Sequence, residues 1–100
     1  MPIIGRAASA RLNWDENCAK CHGTDGNGKT KTGVNRRIKD FTDPKVQAEF
    51  SDTGMLKNLL MGIRTDGDSE RMPAFKDKLT PTEAKELIVL IRSFKSAGQN

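Results

Sequence analysis

The sequence predicts a single all-α domain with three main helices and one short helix. Three observations support this prediction. Apolar residues recur at steps of three and four in three segments, which is the spacing of one helix face. Two candidate helices begin with a capping residue followed by proline, a common way for a helix to start. Between the segments, clusters of glycine, asparagine and aspartate are typical of turns. The chain has 100 residues, enough for one hydrophobic core.

The first helix is predicted from about Ala7 to the cysteines. Gly23 ends it, residues 24–28 form a turn, and the basic segment 29–39 is expected to be a solvated loop. Small Ala10 would let another helix approach closely, and Trp14 would fill the space beside it. The apolar face of this helix consists of Ala7, Ala10, Trp14, Cys18 and Cys21.

The short helix and the second main helix follow one another. Asp43 is the predicted cap and Pro44 the first residue of the short helix, which runs to about Phe50. Ser51 caps the second main helix, which ends near Gly62. The apolar face of that helix consists of Met55, Leu56, Leu59, Leu60 and Ile63.

The last helix starts at a capping box, Thr80-Pro81-Thr82-Glu83, and Gly98 is its expected end. The segment before it, Met72-Pro73-Ala74-Phe75, is predicted to be a loop because proline disfavours helix at the preceding residue. The last helix presents an apolar face made of Ala84, Leu87, Ile88, Leu90, Ile91 and Phe94.

Composition and charge exclude several classes of protein. The 17 Lys and Arg against 13 Asp and Glu give a formal net charge of +4. No run approaches the roughly 18 apolar residues of a membrane span, and the charges are too well mixed for a long disordered tail. We expect residues 7–97 to form the domain. Residues 1–6 would be a disordered N terminus or the remnant of a signal or expression sequence, since Pro2-Ile3-Ile4 is too short for a signal core.

Both cysteines fall within one motif, Cys18-Ala19-Lys20-Cys21-His22. A disulfide scaffold would normally show four or more cysteines, and a structural zinc site needs four ligands where this chain has two Cys and one His. A thioredoxin-like pair would start a helix after a strand. The remaining interpretation of the motif is covalent haem attachment, for which C-x-x-C-H is the signature. Residues three apart share a helix face, so both thiols can reach one porphyrin edge while His22 faces the iron.

The residues alone leave three alternatives for the sixth ligand of such an iron. There is no second histidine, which leaves a methionine thioether, a lysine amine or no protein ligand. Met55 and Met61 belong to an apolar helix face and are more typical of core packing. Met72 lies between two helices and precedes Pro73, which stiffens the backbone. Met72 is therefore the favoured ligand and Met61 the fallback.

The sequence resembles the small class I c-type cytochromes, the monohaem electron carriers of bacterial periplasms. The resemblance covers nearly the whole chain. It implies the cytochrome c fold, wrapped around one covalently bound haem c. It rests on 14–23, 25–28, 40–44, 61–63, 72–75, 79–80 and 91–94, with sequences WDENCAKCHG, DGNG, DFTDP, MGI, MPAF, LT and IRSF.

The resemblance also implies the roles of the site residues. Cys18 and Cys21 would bind haem through thioethers, and His22 and Met72 would be the axial iron ligands. The first and last helices would cross near Ala10 and Trp14. Family members usually have an aromatic residue where this chain has Leu90, and Phe94 is expected to compensate.

The expected function is therefore electron transfer, with one electron carried on a haem iron that cycles between Fe(III) and Fe(II), rather than enzymatic catalysis. An alternative is a haem domain or subunit that serves as the electron inlet of a larger oxidoreductase; an open-site enzyme or gas sensor is a third hypothesis. We expect a monomer, exported to the periplasm or a similar compartment, and no nucleic-acid binding. Arg36, Arg37 or Lys39 would pair with a haem propionate. Redox partners with acidic surfaces would meet Lys20, Lys29, Lys31, Arg71, Lys76 and Lys78.

Overall fold

The computed structural model of the protein describes residues 6–64 and 70–95. Predictions for residues 1–5, for the 65–69 segment and for the helix end at Gly98 lie outside the described residues. Within the described ranges the chain forms six helices and two short strands. In chain order these are α1 (Arg6–Asn17), α2 (Ala19–His22), α3 (Lys31–Arg36), α4 (Pro44–Glu49), α5 (Asp52–Met61), β1 (Ile63–Arg64), β2 (Glu70–Met72) and α6 (Pro81–Ser93).

The predicted starts of the last three helices are confirmed by their caps. The Asp43 carboxylate accepts a hydrogen bond from the Lys45 N–H at 2.9 Å, and the Ser51 hydroxyl accepts one from the Gly54 N–H at 3.0 Å. At α6 the capping box is complete. The Thr80 hydroxyl accepts from the Glu83 N–H at 3.1 Å, and the Glu83 carboxylate accepts from the Thr80 N–H at 2.9 Å. Each cap satisfies an N–H that a helix leaves unpaired.

The predicted first helix is divided at the first cysteine. α1 ends at Asn17, Cys18 has non-helical torsion angles (φ −123°, ψ −36°), and α2 continues beyond it. Hydrogen bonds nevertheless cross the junction, since the Cys18 N–H donates to the Trp14 carbonyl at 2.8 Å and the His22 N–H donates to the Cys18 carbonyl at 2.9 Å. The chain therefore changes direction at Cys18, while hydrogen bonds still connect α1 to α2.

The prediction of a solvated loop over residues 29–39 is wrong for residues 31–36, which form α3. The helix has little apolar surface, so no periodic pattern indicates it. It begins because the Thr30 hydroxyl caps the Gly33 N–H at 2.8 Å. Gly33 also lets α3 lie directly against the backbone of the cysteine segment, because a Cβ there would stand 2.5 Å from the Cys21 carbonyl oxygen.

A short antiparallel hairpin is the second departure from prediction. Ile63, expected at the end of a helix face, pairs with Met72, and Arg64 pairs with Glu70. The turn out of α5 occurs at Gly62, whose φ of +80° favours glycine. Met72, expected in a loop, is the last residue of β2. The all-α fold class is confirmed, with this hairpin as a small addition.

The core lies where α6 crosses α1 and packs on α5. Ala10 and Trp14 of α1 are almost fully buried, as predicted for the crossing. The Phe94 ring lies 4.9 Å from the Trp14 ring, so Phe94 makes the aromatic contact expected of it, and Leu90 packs beside the core while partly exposed. The other buried apolar residues of the core are Cys18, Met55, Leu59, Phe75, Leu79, Ala84, Leu87, Ile88 and Ile91.

The capping box leads to a first prediction. We expect Thr80→Ala to lower the free energy of unfolding by about 1 kcal/mol, because the Glu83 N–H loses its acceptor at the start of α6, which contributes Ala84, Leu87, Ile88 and Ile91 to the core. Guanidinium denaturation of the haem-loaded protein followed by circular dichroism would measure the change. Thr82→Ala, on an exposed position of the same helix turn, is the matched control and should be neutral or slightly stabilising. Equal losses in both variants would contradict the assignment of the effect to the cap.

Candidate haem-attachment site

The two thiols lie at the short helix α2, which is a single helical turn. Cys18 is the residue before the helix and Cys21 is within it, and both are free thiols. Cys18 is 7% exposed and Cys21 is half-buried. Burial, with a smaller contribution from Cys21, raises the pKa of Cys18 to about 12, so this thiol is protonated at neutral pH. One thiol thus faces the core and the other faces partly outward, both on a single helical turn.

His22 ends α2 within an aromatic enclosure. Its imidazole stacks on the Phe41 ring, with centroids 5.3 Å apart and planes 16° apart, and the Trp14 ring lies 5.5 Å away on a tilted plane. Burial lowers the pKa of His22, so the ring is neutral at pH 7. A neutral imidazole carries a lone pair, which is the form in which histidine binds metals.

The imidazole also has an unused polar atom. Nδ1 of His22 is buried and has no hydrogen-bond partner among the described residues. A buried polar atom without a partner is uncommon and indicates a ligand that the polypeptide does not supply. Two thiols and a neutral, under-satisfied imidazole on one turn, next to an apolar core, fit a covalently attached haem and its iron.

The backbone of this turn is held from both sides. The Trp14 indole N–H donates to the Gly23 carbonyl at 2.8 Å, and the Gly28 N–H donates to the His22 carbonyl at 2.8 Å. The Thr30 hydroxyl donates to the Cys21 carbonyl at 2.6 Å. These bonds satisfy the carbonyls that a short helix leaves unpaired at its end. Sequence reasoning missed Thr30, although a threonine just before Lys31 could have been read as an N-cap.

The structure distinguishes between the methionines. Met55 is buried in the core, and Met61, the fallback ligand, is 59% exposed. Met72 is half-buried and packs against the core. Its main chain passes closely over Gly62, where a Cβ would stand 2.7 Å from the Met72 carbonyl oxygen. Burial therefore favours Met72 over Met61 as a ligand.

The chain after Met72 is fastened to the end of α5. The Phe75 N–H donates to the Leu59 carbonyl at 2.9 Å, and the Lys76 N–H donates to the Leu60 carbonyl at 3.2 Å. Together with the hairpin pairing at Ile63, these bonds fix the main chain on both sides of Met72. A thioether binds iron weakly, so a ligand of this kind needs such a fixed backbone.

Comparisons with known proteins agree with this geometry. A family model described as "Cytochrome C oxidase, cbb3-type, subunit III" matches residues 5–91. The chain belongs to this family of c-type cytochrome domains. Among solved structures it is similar to the KustC0563 c-type cytochrome, with 34% identity, a TM-score of 0.76, and coverage of 87% of this chain and 98% of that one. A point mutant of Kustc0563 gives 34% identity, a TM-score of 0.71 and coverage of 87% and 99%. No curated protein matches.

The protein is therefore a small monohaem c-type cytochrome that transfers electrons through a covalently bound haem c. The iron of that haem supplies the redox chemistry, and the polypeptide supplies attachment, orientation and electrostatic surroundings. A protein with this function exchanges electrons with redox partner proteins. No helix in residues 6–64 and 70–95 combines the length and apolar character needed to cross a membrane.

Proposed function

We propose that Cys18 and Cys21 form the thioether links and that His22 and Met72 are the axial ligands of the iron. The observation that carries the proposal is the half-buried His22 with a buried, unpartnered ring nitrogen, directly after two free thiols on one helical turn. The half-buried position of Met72 supports the second axial assignment. A thioether ligand favours Fe(II) and so raises the reduction potential.

We further propose that the protein is an electron carrier and not an enzyme. If His22 and Met72 both bind the iron, no position would be open for a substrate or a gas, and the ligand set could stay the same in both oxidation states. A second candidate is a haem subunit or domain that feeds electrons into a larger oxidoreductase. The family description, which names a subunit of an oxidase, supports that candidate.

Visible absorption spectra of the haem-loaded protein test the ligand set. We expect a sharp α/β pair after reduction and a weak far-red band in the oxidised form, the signature of low-spin iron with histidine and methionine ligands. Carbon monoxide should bind the reduced protein slowly. A high-spin oxidised spectrum with rapid carbon monoxide binding would instead indicate an open site, and the enzyme or gas-sensor hypothesis would replace the carrier.

Analytical size exclusion in the presence of membrane extract distinguishes the free carrier from the subunit. A free carrier elutes at its own mass, and a subunit elutes with a larger complex.

The surface charge supports partners with acidic docking sites. Lys20 lies on α2 between the two cysteines and is exposed, and Lys76 and Lys78 are exposed just beyond the Met72 segment. Lys29 and Lys31 are exposed further along the chain, Lys31 as the first residue of α3. The side chain of Arg71 lies outside the described residues. Lys39 forms a 3.5 Å ion pair with Glu49, and we favour Arg36 or Arg37, both exposed at the end of α3, as the propionate partner.

A salt titration tests the docking proposal. Between low salt and about 0.5 M salt, we expect the rate of electron transfer to an acidic redox protein to fall about tenfold, because screening removes the long-range attraction. Lys20→Gln should lower the rate at low salt and flatten the dependence. Lys57→Gln removes the same charge from an exposed position on α5 and is the control. A rate independent of salt, or the same response in both variants, would contradict a docking surface around Lys20.

We also propose that the protein is a monomer in the periplasm or a comparable exported compartment. Haem is attached to C-x-x-C-H motifs after export, so a chain that carries covalent haem has been exported. Fractionation of cells that express the protein from its own gene, followed by haem staining, would locate the holoprotein. Sedimentation of the purified holoprotein would give its mass.

A further inference from the structure

Gln47 is a buried polar side chain within an otherwise apolar core. Only 6% of it is exposed, and it comes from α4, the shortest predicted helix. Its side-chain Nε2 donates two hydrogen bonds, to the Phe41 carbonyl at 2.6 Å and to the Ile91 carbonyl at 2.7 Å. Its Oε1 accepts from Nη1 of Arg92 at 3.1 Å. The amide thus joins the segment before α4 to α6, which is 44 residues further along the chain.

Arg92 fixes α4 from the other side. Its Nη1 also donates to the Gln47 carbonyl at 2.5 Å, and its Nη2 donates to the Phe50 carbonyl at 2.6 Å. The guanidinium therefore satisfies two carbonyls at the end of α4. The same guanidinium also forms an ion pair with Asp52. Its Nε and Nη2 lie 3.0 Å and 2.9 Å from Oδ1 of the Asp52 carboxylate. A network with its donors and acceptors matched in this way is rigid.

Phe41 connects this network to the haem-attachment site. Its carbonyl accepts from Gln47, and its N–H donates to the Gly26 carbonyl at 2.8 Å, so both main-chain polar groups are fixed. The Phe50 ring meets the Phe41 ring edge-on at 6.2 Å. On the other side, Phe41 stacks nearly parallel to the His22 imidazole. A flat ring so close to the imidazole resists rotation of that imidazole about its own side-chain bond.

We propose that Gln47, anchored by Arg92, is a positioning residue that sets the plane of the His22 imidazole through Phe41. The inference rests on the proposed role of His22 as an axial ligand. Groups that orient a metal-bound histidine tune the metal without touching it. Here the orienting contact is the face of the Phe41 ring, which stacks on the imidazole with planes 16° apart.

Gln47→Met in the haem-loaded protein tests the proposal. The substitution keeps the length and the neutral charge of the side chain but removes both N–H donors to Phe41 and Ile91. By proton NMR we expect changed shifts of the His22 ring protons, a changed spread of the haem methyl resonances in the oxidised form, and faster ring flips of Phe41. At a fixed ambient potential, we also expect the ratio of oxidised to reduced protein to change about threefold.

One control separates positioning from loss of stability. Thr80→Ala destabilises α6 at the end far from Gln47 and changes no residue of this network. It should leave the His22 and haem methyl resonances where they are. Unchanged resonances in Gln47→Met, at a thermal midpoint lowered as in Thr80→Ala, would overturn the proposal and leave Gln47 a structural residue.

Phe41→Leu provides an independent test if Gln47→Met does not load haem. It keeps apolar bulk against His22 but removes the flat ring, so the proposal predicts a change of the same kind in the His22 and haem methyl resonances. Unchanged resonances would overturn the proposal. Failure of the ligand assignment itself is visible beforehand in the unmodified protein, because His22 ring protons that are not displaced to extreme shifts would show that His22 does not bind the iron.

Discussion

Met72→Ala is expected to abolish the weak far-red band of the oxidised holoprotein and to open the sixth position of the iron. The proposed thioether ligand would favour Fe(II), so its removal is expected to lower the reduction potential by on the order of 0.1 V. Rapid binding of carbon monoxide to the reduced variant should accompany the loss. Optical spectra and a redox titration of the same sample measure the three effects.

Met61→Ala is the matched control for this experiment. Met61 lies two residues before the strand that pairs with Met72, but its side chain is more than half exposed. Its replacement should leave the far-red band and the potential unchanged. Should the band survive in Met72→Ala and disappear in Met61→Ala, the assignment of the distal ligand would pass to Met61. A band that survives in both variants would point to another methionine, and a low-spin spectrum without the band in the unmodified protein would point to a lysine.

The double variant Cys18→Ser, Cys21→Ser is expected to lose covalent haem completely. A serine hydroxyl does not form the thioether bond, so haem that enters the fold should separate from the polypeptide on a denaturing gel and in acidified acetone. Stability should fall as well, because a small domain with few aromatic residues depends on the group that its core encloses. Haem staining of the gel and thermal denaturation measure the two losses.

Single variants and a neighbouring control sharpen this result. Cys21→Ser should retain haem through one thioether, with a shifted α band. Lys20→Ser changes an exposed residue between the two cysteines and should retain full covalent attachment. Haem that stays with the double variant through acid extraction would contradict the assignment of these two residues as the attachment points.

The parts of the fold that were predictable from sequence are those where a local signal and a long apolar face coincide. α6 shows this best, since the capping box at Thr80 fixes its start and the apolar spacing fixes the face that packs on α1. α3 was not predictable in this way, because its stability comes from the Thr30 cap and from contact with the Cys21 segment. The hairpin at Ile63 is too short to show a strand period.

The attachment motif was readable because Cys18, Cys21 and His22 are neighbours in the chain. The surroundings of His22 were not, because they are assembled from distant segments. Phe41 reaches the imidazole from a loop, and Gln47 reaches Phe41 and Ile91 from a short helix with no distinguishing pattern. Contacts of this kind depend on tertiary packing, and a glutamine in a polar stretch gives no sign of burial.

Trp14 gives the protein an internal optical reporter. It is the only tryptophan and the chain has no tyrosine, so the emission excited in the near ultraviolet arises from one indole. That indole is buried 5.5 Å from the His22 ring. A bound haem would accept its excitation energy, which makes the native holoprotein nearly dark and the unfolded chain bright. Insertion of haem and opening of the α1–α6 contact can therefore be followed by fluorescence without any attached dye.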